Sequence, residues 1–171
     1  MGLSAYRKKR NFSKTSEPRG VIARSSKGSI FVVQKHHARS LHYDFRLEIG
    51  GVLKSWAVPK GPSSNPTIKR LAVQTEDHPL AYADFQGVIP EGEYGAGRVE
   101  IWDRGTFKIL GDLPIERQYN SGRMEFELKG RKLYGAYVLI KIGQGKNWLL
   151  KKLKEEKTKG KIPKPTDKKE S

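Results

Sequence analysis

Residues 42–49 alternate without a break. His42, Asp44, Arg46 and Glu48 fall on one parity, and Tyr43, Phe45, Leu47 and Ile49 on the other. A β-strand sends successive side chains to opposite faces, so this is a half-buried strand with one apolar and one polar side. Gly50-Gly51 ends it, because paired glycines accept the positive φ of a two-residue hairpin, and residues 52–58 become its partner. A chain that opens this way is committed to antiparallel pairing. Further short alternating or apolar runs at 30–36, 70–76, 98–102, 106–110, 123–128, 136–142 and 148–153 read as strands. Asp103-Arg104-Gly105 reads as a second hairpin turn, 60–66 as a loop of turn formers, and 143–147 as the connection between the last two strands. Helical periodicity is scarce and no internal repeat is visible. The expected fold is all-β, a compact antiparallel β-barrel with flanking hairpins and few helices. A barrel is preferred to a sandwich because closure removes exposed edges.

The chain has 171 residues, enough for one domain with a proper core. No run of 18 apolar residues occurs, so no spanning helix is expected. The basic start lacks the apolar stretch of a signal peptide. With no cysteine, disulfides and thiolate metal sites are excluded, and a cytoplasmic protein without membrane contact is the expectation. The formal charge of +16 is spread unevenly: residues 1–20 carry a net +5, residues 151–171 another +5, and the rest +6. Such an excess points to a polyanionic partner, most commonly nucleic acid. Residues 1–20 have little apolar content and read as a mobile basic arm. The barrel is expected over 21–154, and a disordered Lys-rich tail over 155–171.

The polar face of the 42–49 strand carries the chemistry. An imidazole, a carboxylate and a guanidinium stand in a row, about 7 Å from each to the next at a rise of about 3.3 Å per residue. His36, His42 and Asp44 form a mixed nitrogen and oxygen set that suits manganese, iron or zinc better than magnesium or calcium. His37 has the opposite parity from His36 and is expected to face solvent. Arg46 can fork onto two phosphate oxygens. Arg70, Gln74, Glu76 and His78 share one parity of the next strand, and Lys60 could reach the same anion. A histidine beside a metal-bound phosphate could stabilise developing charge or protonate a leaving oxygen. Residues 90–97 are Gly-rich, but without a following Lys-Ser/Thr and helix they read as a tight surface loop rather than a phosphate cradle.

Several motifs, in order, resemble the 3′-phosphoesterase domain of bacterial DNA ligase D. They are Phe31-Val32-Val33-Gln34-Lys35-His36, Leu41-His42-Tyr43-Asp44-Phe45-Arg46-Leu47, Lys54-Ser55-Trp56-Ala57-Val58-Pro59-Lys60-Gly61-Pro62, Glu76-Asp77-His78-Pro79-Leu80, Ile89-Pro90-Glu91-Gly92-Glu93-Tyr94-Gly95-Ala96-Gly97 and Trp102-Asp103-Arg104-Gly105. The resemblance runs from about residue 6 to about residue 152. It implies a β-barrel, manganese-dependent enzyme that heals DNA 3′ ends. A phosphodiesterase step would remove a 3′-terminal ribonucleoside, and a phosphomonoesterase step the remaining 3′-phosphate.

Carried over, the metal ligands are His36, His42 and Asp44, and Arg46 and His78 complete the catalytic set. Arg10, Glu17, Gln34, Lys60, Arg70, Glu76 and Tyr82 would bind phosphate or substrate. The resemblance also implies a stand-alone monomeric form acting on DNA or RNA-DNA primer-template 3′ ends, with ligase and polymerase as separate partners. Asn11 stands where the family usually has aspartate, and Arg39-Ser40 is in the reverse of a common order. Two other classes share parts of the pattern. One is a non-haem iron oxygenase with a His-x-Asp facial triad, which leaves the +16 charge unexplained. The other is a non-catalytic nucleic-acid-binding barrel indifferent to metal.

Overall fold

A computed structural model describes residues 2–20 and 29–155. Nine strands follow in order: β1 Ile30–His37, β2 Leu41–Ile49, β3 Val52–Val58, β4 Lys69–Pro79, β5 Gly87–Ile89, β6 Gly97–Ile109, β7 Arg123–Lys129, β8 Tyr134–Lys141 and β9 Asn147–Lys152. Eight of them close as β1-β2-β3-β4-β9-β8-β7-β6, with β6 returning to β1, and β5 adds to β6 outside the ring. All pairings are antiparallel. The expected all-β barrel is therefore the fold, and the strand turn at Gly50-Gly51 has the predicted left-handed backbone, with φ of 64° and 85°.

Helices are few among the described residues: α1 Ser4–Lys8, α2 Ile115–Ser121 and a 3₁₀ turn over Leu80–Asp84. None of the three, nor β5, is signalled by sequence periodicity, since each spans seven residues or fewer. No helix among the described residues is long and apolar enough to cross a membrane. The proposed tail lies outside the described residues, apart from Glu155.

Strand alternation sorts the interior into two clusters. Phe31, Phe45, Leu47, Trp56, Phe107, Phe126, Leu139 and Trp148 fill the barrel. Val32, Leu53, Ile89 and Val99 point to the other face, where Leu3, Tyr6, Leu80, Tyr82 and Phe85 cover them. The second cluster corrects the reading of the first 20 residues as a mobile arm outside the core: Leu3 is 1 % exposed and Tyr6 0 %. The few apolar residues of the arm sit where they meet a ready apolar patch on the sheet. The tyrosine hydroxyl also donates to the Pro18 carbonyl. The same cover changes the polar face of β2. Asp44 and Arg46, expected on the open side of a half-buried strand, are buried beneath it.

Asp103-Arg104-Gly105 is not a hairpin. β6 runs straight through it, with Val33 opposite Asp103 and Gln34 opposite Ile101, so Trp102 is a bulged residue without a partner on β1. The motif does other work. The buried Asp103 carboxylate accepts from the backbone N–H groups of Arg104, Arg131, Lys132 and Leu133 at 2.8–3.1 Å. Gly105 lets the Lys129 carbonyl approach to where a Cβ would stand 2.0 Å away. Turn-forming residues here shape a bend and anchor a loop. Replacing Asp103 by Ala would strand these donors, and a stability loss on the order of 3 kcal/mol is expected in urea unfolding. A loss under about 0.5 kcal/mol would show that water replaces the carboxylate.

Candidate metal and phosphate site

β1 and β2 pair so that His36 stands directly opposite His42 and Gln34 opposite Asp44. Six residues of separation thus become one cross-strand pair, joined by a three-residue tip. The ring centroids lie 4.8 Å apart. One donor atom from each of His36, His42 and Asp44 falls within 4.8 Å of the others.

The tautomers of the two imidazoles follow from their partners. His36 Nε2 lies 2.7 Å from the Gly95 carbonyl, and His42 Nδ1 lies 3.0 Å from that of Ser40, so each of these nitrogens donates. The remaining nitrogens, His36 Nδ1 and His42 Nε2, carry lone pairs. They face Asp44 Oδ2 at 3.5 Å and Oδ1 at 3.2 Å. Acceptor meets acceptor, an arrangement that calls for a cation or a proton between them. Backbone carbonyls that fix the far nitrogen are the usual orienting partners of metal-binding histidines.

The electrostatics agree. Burial works to raise the Asp44 carboxyl, but Arg46 and then the contacts with His36 and His42 outweigh it and hold it well below the ordinary carboxylate range. Burial likewise works to lower His42, and the hydrogen bond and charge of Asp44 raise it instead. These three residues, as a set, fit a divalent transition metal.

Beside the triad lies an anion-shaped group. Arg46 Nε donates to Gln34 Oε1 at 2.7 Å and Nη1 to Ser55 Oγ at 2.9 Å, while Nη2 lies 3.6 Å from Asp44 Oδ2. Gln34 is held in turn by the carbonyls of Tyr82 and Phe85. The guanidinium is therefore fixed on two edges before any ligand arrives. Arg10 comes from the arm: Nε bonds Glu17 at 3.0 Å, Nη1 bonds Glu76 at 3.3 Å, and its guanidinium stacks on Tyr6 at 4.0 Å. Glu17 is fixed by Tyr82 Oη at 2.5 Å and Thr15 Oγ1 at 2.9 Å.

His78 sits between the two guanidiniums. Its Nδ1 lies 3.0 Å from the Glu76 carbonyl, 3.2 Å from Arg46 Nη1 and 3.4 Å from Ser55 Oγ, and its Nε2 faces Arg10 Nη2 at 3.5 Å. Burial first, then the charges of Arg46 and Arg10, push His78 well below the usual imidazole value. It is neutral at physiological pH.

These groups line a cavity of about 290 Å³, with Arg10, His36, His42, Asp44, Arg46, Glu76, His78 and Tyr82 on its walls. Glu17 and Gln34 stand behind it as supports. Lys60 and Arg70 are not on its wall. Arg70 shares its side of β4 with Ala72 and Gln74. Ala72 packs in the barrel core and Gln74 bonds Tyr119 and Trp148. A register shift of β4 against β3, between the pairs Ser55–Thr75 and Leu53–His78, breaks the parity expected from Arg70 to His78. Thr75, Glu76 and His78 then share the cavity. His37, expected to face solvent, is half-buried against Glu100 at 2.7 Å. Asn11 is exposed in a local turn, accepting from Ser13 N and Oγ.

Sequence reasoning missed Tyr6, Ser55 and the Gly95 carbonyl. For Ser55 a signal exists, since Ser55 and Ala57 are small residues on one parity of an otherwise bulky strand. That leaves room for the Arg46 side chain. The Gly-rich loop, read as a surface turn, supplies the carbonyl that orients His36.

Comparison with known proteins accords with this geometry. The family model described as "DNA Ligase D 3′-phosphoesterase domain" matches residues 34–141. The chain is 51% identical over 158 residues to the Multifunctional non-homologous end joining protein LigD of Pseudomonas aeruginosa, covering 90% of this chain and 19% of that protein. It is 48% identical over 158 residues to the Multifunctional non-homologous end joining DNA repair protein LigD of Mycobacterium tuberculosis, covering 91% and 20%. With that of Mycolicibacterium smegmatis it shares 46% over 160 residues, covering 91% and 21%. The chain thus spans about a fifth of the length of these relatives. The match takes in most of the closed barrel and the parts of both strands that carry His36, His42 and Asp44, and the chain belongs to the DNA ligase D 3′-phosphoesterase domain family.

Proposed function

We propose that this protein is a manganese-dependent phosphoesterase that heals DNA 3′ ends. It removes a 3′-terminal ribonucleoside as a phosphodiesterase, then the 3′-phosphate as a phosphomonoesterase, and leaves 3′-OH. The observation that carries this reading is the convergence of two imidazole lone pairs on the Asp44 carboxylate, 3.2–3.5 Å away, within the same cavity as Arg46, Arg10 and His78. A metal held by His36, His42 and Asp44 would supply Lewis-acid polarisation and a more acidic bound water.

The chain's own residues do the rest. Arg46, locked by Gln34, Ser55 and His78, offers its Nη2 edge to a phosphoryl oxygen without reorganising. Arg10 approaches from the arm on the opposite side of His78, so the two guanidiniums bracket the anion. Neutral His78 has one ring N–H to donate to the developing charge on an equatorial or leaving oxygen and one lone pair that can accept a proton without first losing one.

Charge matching supports a phosphate ligand. Asp44, Glu17 and Glu76 are offset by Arg46, Arg10 and Lys9, which lies 3.1 Å from Glu76. A divalent cation would leave the site with an excess of two positive charges, complementary to a phosphomonoester dianion.

The test is a labelled duplex with a recessed 3′ end of one ribonucleotide, incubated with protein and each divalent metal in turn. Manganese should give first a 3′-phosphate product one nucleoside shorter, then its 3′-OH form. An unchanged substrate with every metal would overturn the reading, and oxygen uptake with a 2-oxo acid would replace it by the oxygenase. Reaction with a separate ligase and polymerase would follow in the same assay by sealing or extension of the 3′-OH product.

A further inference from the structure

On the opposite face of the two strands that carry the triad lies a cluster with no role in the cavity. Lys35 sits between Gln34 and His36, and Tyr43 between His42 and Asp44, so both point away from the metal residues. The bulge in β6 delivers Trp102 to them, its ring 5.6 Å from that of Tyr43. Lys35 Nζ lies 5.8 Å from the Tyr43 ring and Lys132 Nζ 5.1 Å from the Trp102 ring. Lys132 is carried by the loop that the Asp103 carboxylate anchors, and its ammonium also bonds the Trp102 carbonyl at 3.0 Å. Arg39 is exposed at the tip of the β1–β2 hairpin. The acid in the neighbourhood, Glu100, is taken up by His37 at 2.7 Å and Arg98 at 3.1 Å.

We propose that Trp102 and Tyr43, with Lys35 and Lys132, form a second nucleic-acid site. It stacks a base of the single-stranded overhang that adjoins a recessed 3′ end held in the cavity. The direction of the strand rests on the phosphoesterase reading, whereas the stacking contact stands on the cluster itself. Several observations favour this over a plain plug in the barrel end. A bulge re-aims the indole out of the ladder, a device found beside active sites. The aromatic pair packs on the buried core cluster and carries the half-buried Lys35 and the exposed Lys132 beside its rings. Indole with neighbouring ammonium groups is the set that binds single strands, one holding a base face and the others a phosphate. In the free protein Lys132 covers the indole, and a base arriving there would release its ammonium to the adjoining phosphate.

Tryptophan emission reads this site directly, because Trp56 is 0 % and Trp148 2 % exposed whereas Trp102 is half-buried. A ten-residue oligothymidylate is titrated into the protein in chelator, so that no turnover intervenes, with anisotropy of a labelled strand measured in parallel. Emission should be quenched as the complex saturates. Trp102→Leu, which keeps an apolar side chain at the barrel end, should abolish the quench and weaken binding roughly tenfold. Lys132→Gln should reduce the salt slope of log affinity by about 0.7, the value for one phosphate contact on a single strand. An unquenched spectrum at saturating anisotropy, wild-type affinity in the Leu variant, or no binding at all would each overturn the proposal. Should the quench stand while no 3′-end product forms, the catalytic reading alone falls. If products form and the quench is absent, this site alone falls.

Discussion

Asp44→Ala is expected to abolish both product-forming steps, with a loss well beyond the roughly 100-fold that removing a merely orienting partner costs at a metal site. Asp44 is the anionic member of the set, and the lone pairs of His36 and His42 both face it. Without it, two neutral nitrogens remain to hold a divalent ion, and the added affinity of a charged ligand is lost. Isothermal titration with manganese should show binding in the wild type and none in the variant. The fold should survive, because Phe45 and Leu47 on the core side of β2 are untouched.

Some stability will go. Asp44 is held far below its unfolded carboxyl value, so its contribution is present above about pH 4 and disappears as pH falls through its folded value. Asp44→Asn, which keeps shape and loses charge, separates the two effects: metal binding should fall while packing holds. Full turnover and manganese binding in either variant would remove Asp44 from the site.

His78→Gln should lower turnover by roughly 100-fold or more while affinity for the DNA end changes only a few-fold. General acid–base and electrostatic groups act on the transition state, and a single imidazole is a small part of a phosphate footprint. Single-turnover rates at saturating DNA, set against anisotropy binding, give the split. Affinity that collapses in step with rate would make His78 a binding residue instead.

The same variant has a pH signature in stability. The folded value of His78 lies well below the unfolded one, near 6.5. Its stabilising contribution is therefore complete above that pH and is lost as pH falls below it, when the unfolded chain takes up a proton that the folded protein refuses. The slope approaches about 1.4 kcal/mol per pH unit for one proton. His42, shifted upward, acts in the opposite sense. The test is thus the difference between wild type and His78→Gln in urea unfolding from pH 7 to 5, and parallel curves would show that His78 takes up its proton in the folded state as readily as in the unfolded one.

Much of this protein is written in local sequence. Alternation over residues 42–49 and paired glycines after it are enough for β2, its turn and β3, because side-chain period and turn conformation are properties of a few adjacent residues. Closure of the barrel follows from many such runs and few helical ones. The grouping of His36, His42 and Asp44 was legible for the same reason, since one hairpin register brings all three together.

What lay beyond the sequence depends on contacts between distant segments. The arm looked too polar to pack, yet Leu3 and Tyr6 find an apolar patch made by strands much further along the chain. Arg10, Glu17 and Glu76 meet only because that arm lies across the sheet. The irregular pairing of β3 with β4 sent Arg70 to one side and His78 to the other, against a parity that holds only where the ladder is unbroken. The continuous β6 likewise overrode a turn signal, because Asp103 found four backbone donors and Gly105 a neighbouring carbonyl. Sequence by itself determined most of the strands, their closure and the grouping of His36, His42 and Asp44, since each rests on short-range periodicity. Tertiary structure alone decided the burial of the polar face and the bracket of guanidiniums around His78, which depend on the distant residues that occupy the space above the sheet, and the placing of Trp102, which depends on the bulged pairing of β6 with β1.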